Sequence, residues 1–191
     1  MKRVTKILIS IFFIILLVII DQFTKYLIIK NFNLGDEKKI IGDALVLKYI
    51  RNTGAAWGSL SGRIPLLLIF TIIAIIILGI VYKNIIDSPV FLPLRICITA
   101  IYGGAIGNMI DRIRLGYVVD FIYAKIIKFP VFNFADICVT VSVFVILYLF
   151  LFKYKSEDTD RILNIKSSED STKQEINSND DLNNENNNDN H

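Results

Sequence analysis

"GGAIGNMIDR", residues Gly103–Arg112, begins as a small-residue membrane helix and ends with an amide, a carboxylate and a guanidinium within little more than one turn. Gly104, Asn108 and Asp111 fall on one helix face, with Gly107 beside them. Glycines so placed let neighbouring helices approach closely. Asn108, Asp111 and Arg112 then sit at the outer end of a packed seam, with Arg112 expected to pair with Asp111 and steady the helix through it. A seam of this kind needs partner helices, and the composition supplies them.

The 191-residue chain is 53% hydrophobic with a mean hydropathy of +0.53, too apolar for an ordinary soluble domain. A membrane span takes about 20 mostly apolar residues. Four stretches qualify, at about 7–28, 64–82, 90–110 and 134–152. The first follows a basic "MKRVTK", as a signal peptide would. It lacks a small-residue cleavage site and three more spans follow, so it reads as a retained helix.

Residues 156–191 differ in kind. They are rich in Asn, Asp, Ser and Glu, lack aromatics, and set Arg161, Lys166 and Lys173 against ten acids, a charge of −7. That composition predicts a disordered cytoplasmic tail. The body, 1–155, carries 18 basic and 8 acidic residues, or +10. Such a body suits anionic lipid. Nucleic acid is not an expected partner, because the basic residues flank spans and form no patch with stacking aromatics.

Cys97 and Cys138 lie inside spans and read as core thiols. The only histidine is His191. The body therefore has no Ser-His-Asp triad, no Cys-His pair and no histidine metal site. Its chemistry rests on Asp, Lys, Ser, Thr, Tyr or Arg, and no cofactor or metal is expected.

Four spans put both termini on one side. Lys2, Arg3 and Lys6 before the first span, with Lys153 and Lys155 after the last, predict that side to be cytoplasmic. The basic first loop, with Lys30, Lys38, Lys39, Lys48, Arg51 and Arg63, opposes this, but charges flanking the first helix usually dominate. In that loop "KKII" and "LVLKYI", separated by "GDA", predict a small sheet at the outer face. Residues 112–130 mix aromatics with Lys and Arg and read as interfacial.

The body has eight carboxylates. Asp36, Glu37, Asp43 and Asp87 read as solvated loop residues, whereas Asp21, Asp111, Asp120 and Asp136 fall at span ends on one side of the bundle. Placement near the headgroups lowers a cost of roughly 2.5–3.5 kcal/mol for a carboxylate at the bilayer centre. In "DQFTK", Asp21 and Lys25 have the favourable i,i+4 order of a helical ion pair, serving as a helix-end anchor or as support for a site. In "RNTGAAWG", Asn52 is a donor for a peptide carbonyl, and Gly54 suggests a special backbone angle or a close approach, unless the segment is only a surface turn. Asp120, in "GYVVDFI", has apolar neighbours on both sides, which predicts desolvation and a raised pKa. Asp136, in "FNFAD", falls in the first turn of span four with Asn133 at the cap position. Two carboxylates in unlike environments suit acid-base work.

Taken together and in this order, "DQFTK", "NTGAAWG", "GGAIGNMIDR", "VVDF" and "FNFAD" resemble bacterial lipoprotein signal peptidase, also called signal peptidase II. The resemblance covers nearly the whole body and leaves out the tail. Trp57 stands where the family often has Phe, another large apolar ring. The resemblance implies an all-α membrane protein: a four-transmembrane-helix bundle with a small extracytoplasmic β-cradle and an interfacial segment. It implies an intramembrane aspartic endopeptidase that cuts diacylglyceryl-modified prolipoproteins just before the lipidated cysteine. Asp120 and Asp136 match the catalytic pair. Asp21, Lys25, Asn52, Gly54, Gly104, Asn108, Asp111, Arg112, Asn133 and Ala135 match positions around it. The expected protein is a monomeric, multi-pass plasma-membrane enzyme with its site at the outer face and membrane lipids as partners. Three other readings compete: a proton-coupled transporter, a peptidase pairing Lys25 with a serine such as Ser59, and a purely structural bundle.

Overall fold

The computed structural model describes residues 2–54, 60 and 62–163. Among them, four helices are long and apolar enough to cross a membrane: α1 (Arg3–Asn31), α2 (Ile64–Ile85), α3 (Leu92–Leu115, entered through a 3₁₀ turn at Pro89–Phe91) and α4 (Phe134–Phe152). The helices overrun the expected spans at several ends. At 29 residues, α1 reaches about 43 Å, beyond the roughly 30 Å hydrocarbon core.

The bundle is built around α3. Half of its most apolar window is buried, against 6% for α1 and for α2 and 17% for α4. Apolar side chains on α1, α2 and α4 face outward, as lipid-facing surfaces must. Glycines give α3 its reach. A Cβ at Gly103 would strike Leu17 of α1, one at Gly107 would strike the Asp21 carboxylate, and one at Gly104 would overlap the Ala135 carbonyl oxygen of α4. Beyond Leu115, Gly116 adopts φ 75° and its N–H donates to the Arg112 carbonyl at 3.2 Å, ending the helix.

At that end lies an antiparallel sheet in the order β1 (Glu37–Ile41), β2 (Leu45–Asn52), β3 (Val118–Ala124). The first two strands fall on the two β-like runs of the loop. The third falls within residues 112–130, read as interfacial and not as a strand or a span. "VVDFIYA" is β-branched and aromatic enough to pair along β2, and only the segment beyond Ala124 stays outside the sheet. Ile28, Tyr49, Val119 and Phe121 form the apolar cluster that seats the sheet on α1. Glu37 ties the strands together, at 2.7 Å from Lys48 and 3.0 Å from Lys125.

The opposite end of the bundle is closed by a second cluster containing Ile85, Phe91, Leu94, Ile98, Leu149 and Tyr154. Arg3 pairs with Asp87 at 3.3 Å there, and Lys6 donates to the Ile86 carbonyl at 3.0 Å. Ile162 also belongs to this cluster, at 3% exposure. It sits on α5 (Ser156–Leu163), a helix where disorder was expected from residue 156 onward. Burial of that one side chain, with Asn84 donating to its carbonyl at 3.0 Å, outweighs the polar composition of the turn around it. Residues 164–191 lie outside the described residues. Cys97 and Cys138 are free thiols.

The close contact at Gly104 makes a prediction. Gly104→Val should cost about 1–3 kcal/mol through overpacking against Ala135 and lower the thermal midpoint of the purified protein in detergent. An unchanged midpoint would mean that α3 and α4 are not held at this contact.

Candidate active site

The polar end of α4 begins with a reciprocal cap. Asn133 Oδ1 accepts from the Asp136 N–H at 3.0 Å, and Asp136 Oδ2 accepts from the Asn133 N–H at 3.1 Å. This fixes Asp136 in the first turn. The same asparagine reaches the sheet, its Nδ2 donating to Asp120 Oδ1 at 2.6 Å. One residue therefore holds both carboxylates, Asp120 through its side chain and Asp136 through its backbone N–H.

Each remaining carboxylate oxygen has its own donor. Asn108 Nδ2 donates to Asp136 Oδ1 at 2.8 Å, and Asn52 Nδ2 donates to Asp120 Oδ2 at 2.8 Å. Asn52 can do so because β2 runs against β3. It stands opposite Val118 while Ile50 stands opposite Asp120, a diagonal that a short amide spans. So Asn52 serves a carboxylate here. Its Oδ1 accepts from the Gly54 N–H at 2.9 Å, closing a tight turn. The Gly54 carbonyl accepts from Arg112 Nη2 at 3.3 Å.

Behind the asparagines lies a buried charge cluster. The Lys25 ammonium, on a side chain 2% exposed, meets Asp21 Oδ2 at 2.9 Å, Asp111 Oδ2 at 3.0 Å and Asn108 Oδ1 at 2.8 Å. Its three N–H bonds are thereby matched. Asp21 Oδ1 accepts from the Ala135 N–H at 3.1 Å, tying α1 to the first turn of α4. Asp111 Oδ2 accepts from the Val119 N–H at 3.1 Å, tying α3 to β3. Asp111 therefore pairs with Lys25 and not with the adjacent Arg112, because the two diverge around the helix. Asp111 turns into the bundle and Arg112 turns toward the cavity.

Sequence reasoning missed Gln22. Its Nε2 bridges Asp111 Oδ1 at 2.9 Å and Asp21 Oδ2 at 3.2 Å. Its position beside Asp21 in "DQFTK" was the available signal. Trp57 and Ser59 lie outside the described residues.

Asp120, Asp136, Asn52, Asn108, Gly54 and Arg112 border one cavity of about 680 Å³. Its remaining wall is mostly apolar, from Phe129–Phe132 and from Ile137, Thr140 and Val141 of α4. Asp120 is 1% exposed. Burial pushes its carboxyl up to about 7, helped by the Asp136 carboxylate and opposed by the Asn52 and Asn133 amides. A buried carboxyl that keeps its proton near neutrality, facing a second carboxylate across a cavity, is equipped to donate and accept a proton. Among the described residues no group of three or more His, Cys, Asp or Glu is placed to hold a metal.

The charge cluster makes its own prediction. Lys25→Met leaves Asp21 and Asp111 buried without their cation and should cost about 3–5 kcal/mol, read as lost folded yield and a lower thermal midpoint. Wild-type stability in this variant would contradict the cluster's role.

Residues 13–152 match the family described as signal peptidase (SPase) II. Proteins named lipoprotein signal peptidase from Staphylococcus aureus strains JH9 and Newman are each 43% identical over 145 residues, 75% of this chain and 85% of theirs. The fold also resembles two solved bacterial membrane enzymes. One, at 2.3 Å resolution, gives a TM-score of 0.67 at 37% identity over 83% of this chain and 92% of its own. The other, at 1.9 Å, gives 0.65 at 38% identity over 76% and 94%.

Proposed function

The chain belongs to the signal peptidase II family, and on that premise we propose that Asp120 and Asp136 are its catalytic pair. The protein is a multi-pass bacterial membrane peptidase that removes signal peptides from prolipoproteins. The observation that carries the assignment is Asn133, which holds one carboxylate through its side chain and the other through its backbone, at the head of a single cavity.

The chemistry follows from four amide donors. Each carboxylate oxygen accepts one N–H from the protein, so these bonds fix both groups without supplying the dyad's own proton. Two close buried carboxylates hold one proton between them. The ionised one takes a proton from water, and the water oxygen bonds to the scissile carbonyl carbon. The protonated one gives its proton to the carbonyl oxygen. Collapse of the tetrahedral intermediate breaks the C–N bond: the leaving amine takes up the proton drawn from water, and a hydroxyl of the intermediate returns its proton to the other carboxylate, which restores the singly protonated pair. The pair titrates as a unit, so neither aspartate is the fixed base.

The cut falls just before a diacylglyceryl-modified cysteine. A cavity that runs from the dyad along α4 to Val141 reaches an exposed, lipid-facing part of that helix. The acyl chains stay in the bilayer while the peptide reaches the carboxylates, and their binding energy positions the bond. Both termini are cytoplasmic, because Arg3, Lys6 and Lys83 cluster at the end away from the sheet. The dyad then faces outward, and membrane lipid is its immediate surroundings. The enzyme works as a monomer, since one chain supplies every group of the site. Residues 1–155 form the peptidase domain, extended by α5, and 164–191 carry no part of the chemistry.

A lysine-based peptidase is disfavoured because Lys25 is fully engaged by Asp21, Asp111 and Asn108. A transporter would place its acids near the midplane, and here they gather at one end.

Two predictions follow from the dyad. Asp120→Asn and Asp136→Asn should each abolish cleavage of a lipidated precursor by the purified protein while leaving the thermal midpoint near wild type; near-normal turnover in either would refute the assignment. The pH dependence has a fixed sign. With the Asp120 carboxyl pushed up to about 7, the pair keeps its shared proton below that value and loses it above. Thus kcat/KM should fall as pH rises through that value, and a profile flat to higher pH would contradict a dyad that needs one proton.

A further inference from the structure

Residues 125–128 close a turn after β3, Lys128 N–H donating to the Lys125 carbonyl at 3.1 Å. Ile126 and Ile127 occupy its two central positions and are 73% and 70% exposed. Turns facing water use Gly, Pro, Asn, Asp or Ser at such positions. The strand register brings more apolar surface to the same place. Ile41 pairs with Leu45, Leu45 with Ala124, and the Lys125 N–H donates to the Ala44 carbonyl at 3.0 Å. Ile40 and Ile41, each more than half exposed, therefore share this end of the sheet. Lys125 and Lys128 flank the exposed pair.

This tip is the end of the sheet away from the bundle, since β3 leaves α3 at the other end, where Val118 stands opposite Asn52. From the tip the chain returns through Phe129–Phe132, with Phe132 bridging to Ile122. That return segment forms one wall of the catalytic cavity, facing Ile137 and Val141 on the exposed side of α4. The tip's apolar surface is thus continuous with a lipid-facing helix.

We propose that the sheet tip is a lipid anchor: Ile126 and Ile127, with Ile40 and Ile41 beside them, enter the outer leaflet while Lys128 holds an anionic phospholipid headgroup and Lys125 stays with Glu37. The inference rests on the placement of the cavity at the outer face. Four spans hold the sheet at the bilayer surface, so the membrane is the apolar phase within its reach. Apolar tips rimmed by lysines match the order of acyl chain, then headgroup phosphate. The anchor fixes the return segment, and hence one wall of the cavity, against the bilayer in which the substrate's acyl chains lie.

The test uses full-length protein in nanodiscs. Trp57 is the only tryptophan, so Trp57→Phe combined with Ile127→Trp reports on the tip alone, with Ile126→Trp as a second reporter. In discs containing phosphatidylglycerol, the indole emission should shift to shorter wavelength, lose most of its intensity to acyl-brominated lipid and resist acrylamide. Phosphatidylcholine alone should give weaker bromolipid quenching, and Lys128→Glu should abolish the difference between the two lipids. Emission typical of water without bromolipid quenching from both reporters would overturn the proposal. So would shielding that requires two protein copies per disc, which would identify a second chain as the occupant. The readout needs no turnover, so it is independent of whether the cleavage reading holds.

Discussion

The site depends on what Asn133 does twice over. As the cap of α4 it sets where that helix begins and so where Asp136 points. As a side chain it crosses to β3 and holds Asp120. A longer or uncapped start to α4 would move one carboxylate without the other. Helix capping is usually worth about 1 kcal/mol of stability; here its larger effect is positional, because a strand and the helix that follows it are brought to one cavity.

That arrangement sits on an expensive foundation. Lys25, Asp21 and Asp111 are all buried, and buried ion pairs seldom add stability over an apolar replacement. What they supply is registration. Asp21 holds the first turn of α4 through Ala135, Asp111 holds β3 through Val119, and Lys25 orients Asn108 toward Asp136. Three helices and a strand thus meet at one cluster, and the glycines of α3 bring their backbones close enough for short polar side chains to connect. The lipid-facing helices need no such specification and are apolar nearly throughout.

Much of this was legible in the residues. The spans follow from hydropathy, the sheet's first hairpin from two β-like runs either side of a turn, and the acids' common end from topology. The cap at Asn133 was visible because Asn three places before an acid is a local signal. β3 was not foreseen as a strand because "VVDFIYAKIIKF" carries aromatic and basic residues that suit a headgroup layer as well as a strand, and pairing with β2 is decided by a partner some 70 residues away. The same distance hid the choice of partner for Asp111. Sequence offered Arg112 next door, while the fold supplied Lys25 from another helix. Ser156–Leu163 folds because one isoleucine joins the apolar cluster of Ile85, Phe91, Leu94, Ile98, Leu149 and Tyr154, which composition does not encode.

The central claim is that Asp120 and Asp136 hold a single proton between them near neutral pH. Difference infrared spectroscopy of the purified protein can count it directly through the C=O stretch of a protonated carboxyl. The account predicts one such band below about pH 7 that vanishes on titration upward and that changes when either aspartate alone is replaced by asparagine. A spectrum without a protonated carboxyl at about pH 6, or one whose band survives both substitutions unchanged, would contradict it.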